Sequence, residues 1–163
     1  MTKPAGQPAG KASDNIPSGE SLAEVRDWNA EMIREFRAGG GEVGGIFAKV
    51  GATLLLLTTT GARSGKQYTT PLALFRVAGR MLVTGSNFGK SRQPAWYHNV
   101  LSNPDVTVEI GSETHRARAV VITGDERDRL FAAVAEAEPS QGEYQKATTR
   151  TIPVVEISLC DGS

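Results

Sequence analysis

Four consecutive leucines, Leu54 to Leu57, run into Thr58-Thr59-Thr60 and stop at Gly61. So short an apolar run, ended by a glycine, suits a strand buried on both faces. Such a strand needs neighbours in its own sheet and cover above and below. The following residues supply the neighbours. Gln67 to Val77 and Arg80 to Gly85 read as strands joined by a turn at Ala78-Gly79. Pro71 interrupts the first of them, which places it at an edge or a bulge. Val106, Val108 and Ile110 alternate with polar residues, and Thr114 to Thr123 follows across Gly111-Ser112 as the second arm of a hairpin. Ile152 to Leu159 is the last strand.

Helices provide the cover. Leu22, Val25, Trp28, Met32, Ile33 and Phe36 recur at helical spacing. Ser21 and Glu24 form a capping box, and Gly39-Gly40-Gly41 ends a helix spanning Ser21 to Ala38. Gln93 to Leu101 reads as a short helix, with Pro94 in its first turn and Asn103-Pro104 after it. Asp125 to Ala137 is a third helix, with Leu130, Phe131 and Val134 on one side. Pro139 to Pro153 reads as a polar loop. Strands joined by short turns argue for an antiparallel sheet, and six of them suggest a small barrel with helices at its rim. The fold class is therefore mainly β with helices (α+β), a six-stranded antiparallel barrel. Residues 1–18, rich in Pro, Gly, Ala, Ser and Lys, are expected to be disordered. Residues 19–45 form the helix and a glycine-rich linker, and residues 46–163 form the barrel domain.

Composition narrows the function. The chain has 163 residues, 18 basic and 18 acidic, and one cysteine, Cys160. Balanced charge gives no basic field for nucleic acid. No apolar run approaches the roughly 20 residues that span a bilayer, and residues 1–18 do not read as a signal peptide. A cytoplasmic protein is expected. Gly39, Gly41 and Gly44 match a dinucleotide fingerprint, but a helix precedes them where a strand is required. His98 and His115 stand in unlike contexts far from Cys160, so no metal site is expected. Gly61 to Lys66 is one residue too short for a P-loop, and Ser86 does not sit in a nucleophile elbow. With no nucleophile or carboxylate pair evident, catalysis points to a cofactor.

Three stretches can serve a cofactor. Gly61 to Lys66 is a glycine-rich turn carrying Arg63, Ser64 and Lys66, which suits an anion; it equally suits a hairpin turn with solvated charges. Ser86 to Asn99 gathers Pro94, Trp96, Tyr97, His98 and Asn99, which can hold a planar heterocycle or simply anchor a short helix in the core. Tyr144 lies in the Pro139 to Pro153 segment, which either closes over the barrel mouth or merely connects.

Leu56-Leu57-Thr58-Thr59-Thr60-Gly61, Arg63-Ser64-Gly65 and Pro71-Leu72 come in that order, followed by Pro94, Trp96-Tyr97, Asn99, Asn103-Pro104 and Arg150-Thr151-Ile152-Pro153. With these blocks the chain resembles the F420 (deazaflavin)-dependent nitroreductase and F420H2-dependent quinone reductase family of actinobacteria, from about Val50 to Leu159. The resemblance implies a split β-barrel, like that of FMN-binding oxidoreductases, with coenzyme F420 in a groove. It implies that Arg63, Ser64 and Gly65 meet the phosphate and acidic tail, and that Tyr68, Thr69, Thr70, Pro71 and Leu72 line the groove. Thr84, Ser86, Asn87, Pro94, Ala95, Trp96, Tyr97, His98 and Asn99 would surround the ring. Ser86 and Tyr144 are the candidate catalytic residues. Ala73, Gln141 and Tyr144 would face the substrate. Ala73, Glu138 and Gln141 stand where nitro-drug-activating members have tyrosines, so a differently built pocket is expected. Asn87 and Tyr68 stand where members carry basic residues, so the tail path has fewer cations.

The expected reaction is hydride transfer from F420H2 to a quinone, conjugated carbonyl or nitro compound. FMN on the same barrel and a non-catalytic F420 carrier are the alternatives. The first helix packs on the barrel or lies on a membrane surface, and the chain is a monomer or homodimer.

Overall fold

The computed structural model describes residues 22–41 and 53–160. The order is α1 (Leu22–Ala38), β1 (Thr53–Thr60), β2 (Gln67–Val77), β3 (Arg80–Thr84), a 3-10 turn (Asn87–Gly89), α2 (Ala95–Ser102), β4 (Asp105–Ile110), β5 (Glu113–Ile122), α3 (Gly124–Ala137), α4 (Pro139–Lys146) and β6 (Val154–Leu159). The strands form a closed antiparallel barrel in the order β1-β2-β3-β6-β5-β4. Residues 1–18, Ser21 with its capping box, and Gly44 lie outside the described residues.

The two-faced burial expected of β1 is present. Leu55 and Leu57 point into the barrel with Leu74, Val83, Val108, Val155 and Ile157. Leu54 and Leu56 point outward under Met32 and Phe36 of α1. All four leucines are buried. Helix α1 is fastened at its C-terminal end. Arg37 forks onto Glu109 of β4 at 2.8 and 3.0 Å. Gly40 and Gly41 take positive φ to stop the helix, and the Gly41 amide donates to the Phe36 carbonyl. A Cβ on Gly41 would collide with the Gly111 backbone, so the closeness of α1 to the β4–β5 turn requires glycine.

On the other side of the barrel, Phe75, Leu82, Ile122 and Val154 pack against Leu130, Phe131 and Val134 of α3. Helix α2 enters the barrel end, with Trp96 and Val100 in the inner core.

One expectation is corrected. The segment after Pro139 is helical through Lys146 and is not a polar loop. Glu138 caps it by accepting from the Ser140 amide, and Pro139 occupies its first turn, where no amide is needed.

The feature that positions the site is a partial opening of the barrel. β2 pairs with β1 along its whole length up to Leu74. It pairs with β3 only at Phe75, Arg76 and Val77. Beyond Leu82 the pairing of β3 with β2 ends, while its pairing with β6 on the opposite edge runs from Leu82 through Thr84. Gln67 to Leu74 therefore present a free edge toward the segment leaving β3. Pro71 lies on that edge, as expected, where its missing N–H costs no β2–β3 bond.

Candidate functional site

The β1–β2 turn is preorganised. The Gly61 amide donates to the Lys66 carbonyl at 2.7 Å, and the Gly65 amide donates back to the Gly61 carbonyl at 3.1 Å. Gly65 sits at φ 72°, a left-handed conformation that favours glycine. The Ser64 hydroxyl accepts from the Lys66 amide and shares a hydrogen bond with the Tyr68 hydroxyl, both at 3.1 Å. Gly61 leaves room for this pair: a Cβ there would lie 2.7 Å from Ser64 Oγ and 2.8 Å from Tyr68 Cε2.

Among the described residues, the amides of Arg63 and Ser64 and the guanidinium of Arg63 have no hydrogen-bond partner. The turn thus offers two unused N–H groups and an exposed cation, a donor set that fits a phosphate or carboxylate.

Asn99 ties the turn to α2. Its carboxamide oxygen accepts from the Ala62 amide at 3.0 Å, and its nitrogen donates to the Thr59 hydroxyl at 3.1 Å. Asn99 is buried, so its polar atoms serve the protein. Trp96 is only 4% exposed and belongs to the inner core. Of these two expected ring neighbours, Asn99 braces the β1–β2 turn and Trp96 packs in the inner core. Tyr97 lies edge-on to Trp96, with centroids 6.3 Å apart. Its half-buried ring also packs against the inner core and lies tilted to the His98 ring, centroids 6.1 Å apart. Ala95 and His98 are exposed beside it, and Pro94 is half-buried.

Across the free edge of β2, with its half-buried Thr69, Thr70 and Leu72, lies the segment leaving β3. Thr69 is held by the Thr58 hydroxyl at 2.7 Å. Ser86 is half-buried, and its hydroxyl has no hydrogen-bond partner among the described residues. Asn87 has φ 45°, and its amide nitrogen donates to the Arg92 carbonyl at 3.0 Å. Gly89 packs on α4: a Cβ there would meet Ala147 Cβ at 3.1 Å and the Tyr144 carbonyl at 3.3 Å.

The residues expected to face substrate gather on the outer side of this segment. Thr84 donates to Gln141 at 2.7 Å within a buried pair. Ala73 and Tyr144 pack on the same apolar cluster. Burial holds the Tyr144 hydroxyl above the ordinary tyrosine range, and the nearby Glu138 carboxylate pushes the same way. Tyr144 is therefore a neutral donor at physiological pH.

In the sequence, Arg150 stands out only as part of a motif. In the structure it donates to the carbonyls of Ser86 and Lys90, both at 2.9 Å, and to the Gln93 side chain at 2.8 Å. The signal available is its place just before the last strand, in a block shared with a family.

A separate polar pocket of about 250 Å³ lies on the outer barrel surface between Thr58, Thr60, Thr107 and Arg116. It contains none of the candidate site residues. The groove is preferred as the candidate site because the unused donors and the open strand edge are there. Among the described residues no cluster of His, Cys, Asp or Glu has the makings of a metal site.

Comparison with known proteins shows the family. The sequence model of the F420H(2)-dependent quinone reductase family matches residues 28–158. A Mycobacterium tuberculosis (strain H37Rv) protein named F420H(2)-dependent quinone reductase is 38% identical over 104 residues, covering 62% of this chain and 70% of that protein. A solved F420-H2 dependent reductase is 37% identical with a TM-score of 0.58, covering 64% of this chain and 93% of its own. Another solved relative, described as a domain-swapped dimer, is 32% identical with a TM-score of 0.61, covering 79% of this chain and 95% of its own. The chain belongs to the F420H(2)-dependent quinone reductase family.

Proposed function

We propose that the chain holds coenzyme F420 along the opening between β2 and β3 and reduces a small quinone there. The class of enzyme follows from the family: an oxidoreductase that works with F420H2. The observation that carries the placement is the free edge of β2, which ends at a turn with unused donors and an exposed cation. Arg63 and the adjacent amides would hold the acidic end of the coenzyme. Tyr68, Thr70 and Leu72 would flank its length, and Ser86, Asn87 and Tyr97 its ring.

When bound, the reduced deazaflavin supplies a hydride from its C5 carbon. Reducing a quinone to a hydroquinone takes one proton besides the hydride. Tyr144, kept neutral by burial, can donate it. The Ser86 hydroxyl, without a partner among the described residues, can hydrogen-bond the ring or the acceptor. The rigid groove fixes distance and angle, which is the protein's main contribution to hydride transfer. The free, exposed thiol of Cys160 supports a reducing, cytoplasmic setting. A solved relative is described as a domain-swapped dimer, and light scattering would tell whether this chain is a monomer or a homodimer.

The deciding experiment is binding of F420 and, separately, FMN to the purified chain, followed by turnover with quinones, enones and nitroarenes. Micromolar or tighter F420 binding, weak FMN binding and quinone-dependent oxidation of F420H2 are expected. FMN binding without F420 binding would transfer the chemistry to flavin. Tight F420 binding without turnover of any acceptor would make the chain a carrier. Ser86→Ala and Tyr144→Phe test the two roles; unchanged turnover in both would remove them.

A further inference from the structure

Arg150 is a half-buried cation whose side chain is fully engaged, yet no carboxylate pairs with it among the described residues. The other engaged arginines differ: Arg34, Arg37, Arg80, Arg118 and Arg127 each lie on an acidic side chain. A cation held by neutral oxygens alone is a poor choice for stability, because part of its hydration is lost without a counter-charge. Its position suggests another use. The three acceptors, Ser86 O, Lys90 O and Gln93 Oε1, span the whole connection from β3 to α2. Only a planar fork reaches acceptors in several directions at once.

That connection has other ties, among them the Asn87 side chain on the Arg92 carbonyl and Gly89 packed on α4, but Arg150 binds it at three points from outside. Gly85 is tied to the Pro153 carbonyl, and the 3-10 turn closes on itself through Gly89 to Ser86 and Lys90 to Asn87. Asn87 sits at φ 45°, a conformation a non-glycine residue holds only when its surroundings insist. Arg150 grips the carbonyl immediately before it. Arg150 is in turn anchored from behind. Gln145 of α4 donates to the Arg150 carbonyl at 2.7 Å and accepts from the Ile152 amide at 3.0 Å and from Arg127 at 2.8 Å.

We propose that Arg150 is the positioning residue of the coenzyme groove, holding the Ser86–Gln93 connection in its binding conformation before the coenzyme arrives. This rests on the placement of F420 proposed above. Without the fork, the connection samples other conformations. The apparent affinity then falls by the fraction that remains competent. Saturating coenzyme selects the competent form again, so the maximal rate changes little.

The test compares the full-length chain with Arg150→Gln and Arg150→Lys. In the absence of coenzyme, hydrogen exchange should quicken at amides 86–93 in Arg150→Gln and stay unchanged in β1 and β5. The F420 Kd and the KM for F420H2 should rise about tenfold, with kcat within about threefold, as expected when about a tenth of the molecules remain competent. Arg150→Lys, which keeps the charge but not the fork, should fall between. If Arg150→Gln does not fold, Arg150→Lys alone must show the same split between KM and kcat. A lower melting temperature with Kd and KM within twofold of the parent would overturn the proposal, reducing Arg150 to a structural brace. If the parent chain binds no F420, the placement fails. The exchange measurement still decides whether Arg150 orders the connection, and unchanged exchange would overturn that too.

Discussion

Arg63 and Arg150 are two arginines on one groove with opposite surroundings. Arg150 is engaged at every donor group, whereas Arg63 is exposed and has no partner among the described residues. Replacing Arg63 with alanine should therefore leave the melting temperature unmoved. It should weaken F420 binding by about 1 kcal/mol, about fivefold in Kd, the value of one exposed charge-assisted contact. Calorimetry at low and high salt checks this, and the difference should shrink as salt screens it. Tyr144 gives a second residue-level prediction. Its folded pKa is raised by burial first and by Glu138 second, so the folded chain keeps a proton that the unfolded chain releases earlier. The associated stability is complete below the ordinary tyrosine value of about 10 and is lost as pH rises through the folded value. Thermal unfolding across that alkaline range should fall less steeply for Tyr144→Phe than for the parent; identical slopes would refute the assignment. At this scale the sequence identifies residue types well but not their direction. Aromatic and amide groups suit a planar ring, which is why Trp96 and Asn99 read as ring contacts. Their burial, 4% and 9% exposed, is something no single residue announces.

The strands are readable because their signals are local. The Leu54–Leu57 run, the Val106-Val108-Ile110 alternation and the two-residue turns each fix an element without reference to the rest of the chain. Helix α4 escapes such a reading because its sequence, PSQGEYQK, is polar, contains Gly142 and buries only Gln141 among its residues. Its one signal is Pro139 behind the capping Glu138. The opening between β2 and β3 is only half readable: Pro71 marks the edge, but nothing local shows that the β2–β3 pairing stops after Leu82. The β2–β3 hairpin also carries a correctable flaw. Ala78 and Gly79 both have positive φ, 52° and 77°, as a type I′ turn demands. Alanine tolerates that poorly, whereas Asn-Gly is the preferred pair. Ala78→Asn should stabilise the chain by about 0.5–1 kcal/mol, within the cost of a left-handed residue. The melting temperature should rise by about 1–4 °C for a chain of this size. A drop would mean that the turn is shaped by contacts other than its own backbone.

For the whole molecule, the decisive relation is that one strand serves two cores. β1 gives Leu55 and Leu57 to the barrel interior and Leu54 and Leu56 to the layer under α1. The continuous leucine run by itself signals two-sided burial. It does not name the outer cover, because an amphipathic helix can lie on a barrel or on a lipid surface. The packing decides where the apolar stripe goes. Met32 is 0% and Phe36 1% exposed, Trp28 and Ile33 lie against the same cluster, and Arg37 is locked to Glu109. Lying on a membrane would require α1 to leave the barrel, uncovering Leu54 and Leu56 and breaking the Arg37 fork. Among the described residues no helix is long and apolar enough to cross a bilayer. The exposed side of α1 mixes Arg26, Asp27, Glu31 and Arg34, which gives anionic lipid no uniform field to hold. The full-length chain should therefore remain in the supernatant when sedimented with liposomes, whether these are neutral or anionic. Arg37→Met, which loosens the clasp, should lower the melting temperature without causing pelleting. If the parent chain pellets with anionic vesicles and Arg37→Met pellets more completely, α1 exchanges between barrel and bilayer, and a quinone dissolved in lipid becomes the acceptor to assay first.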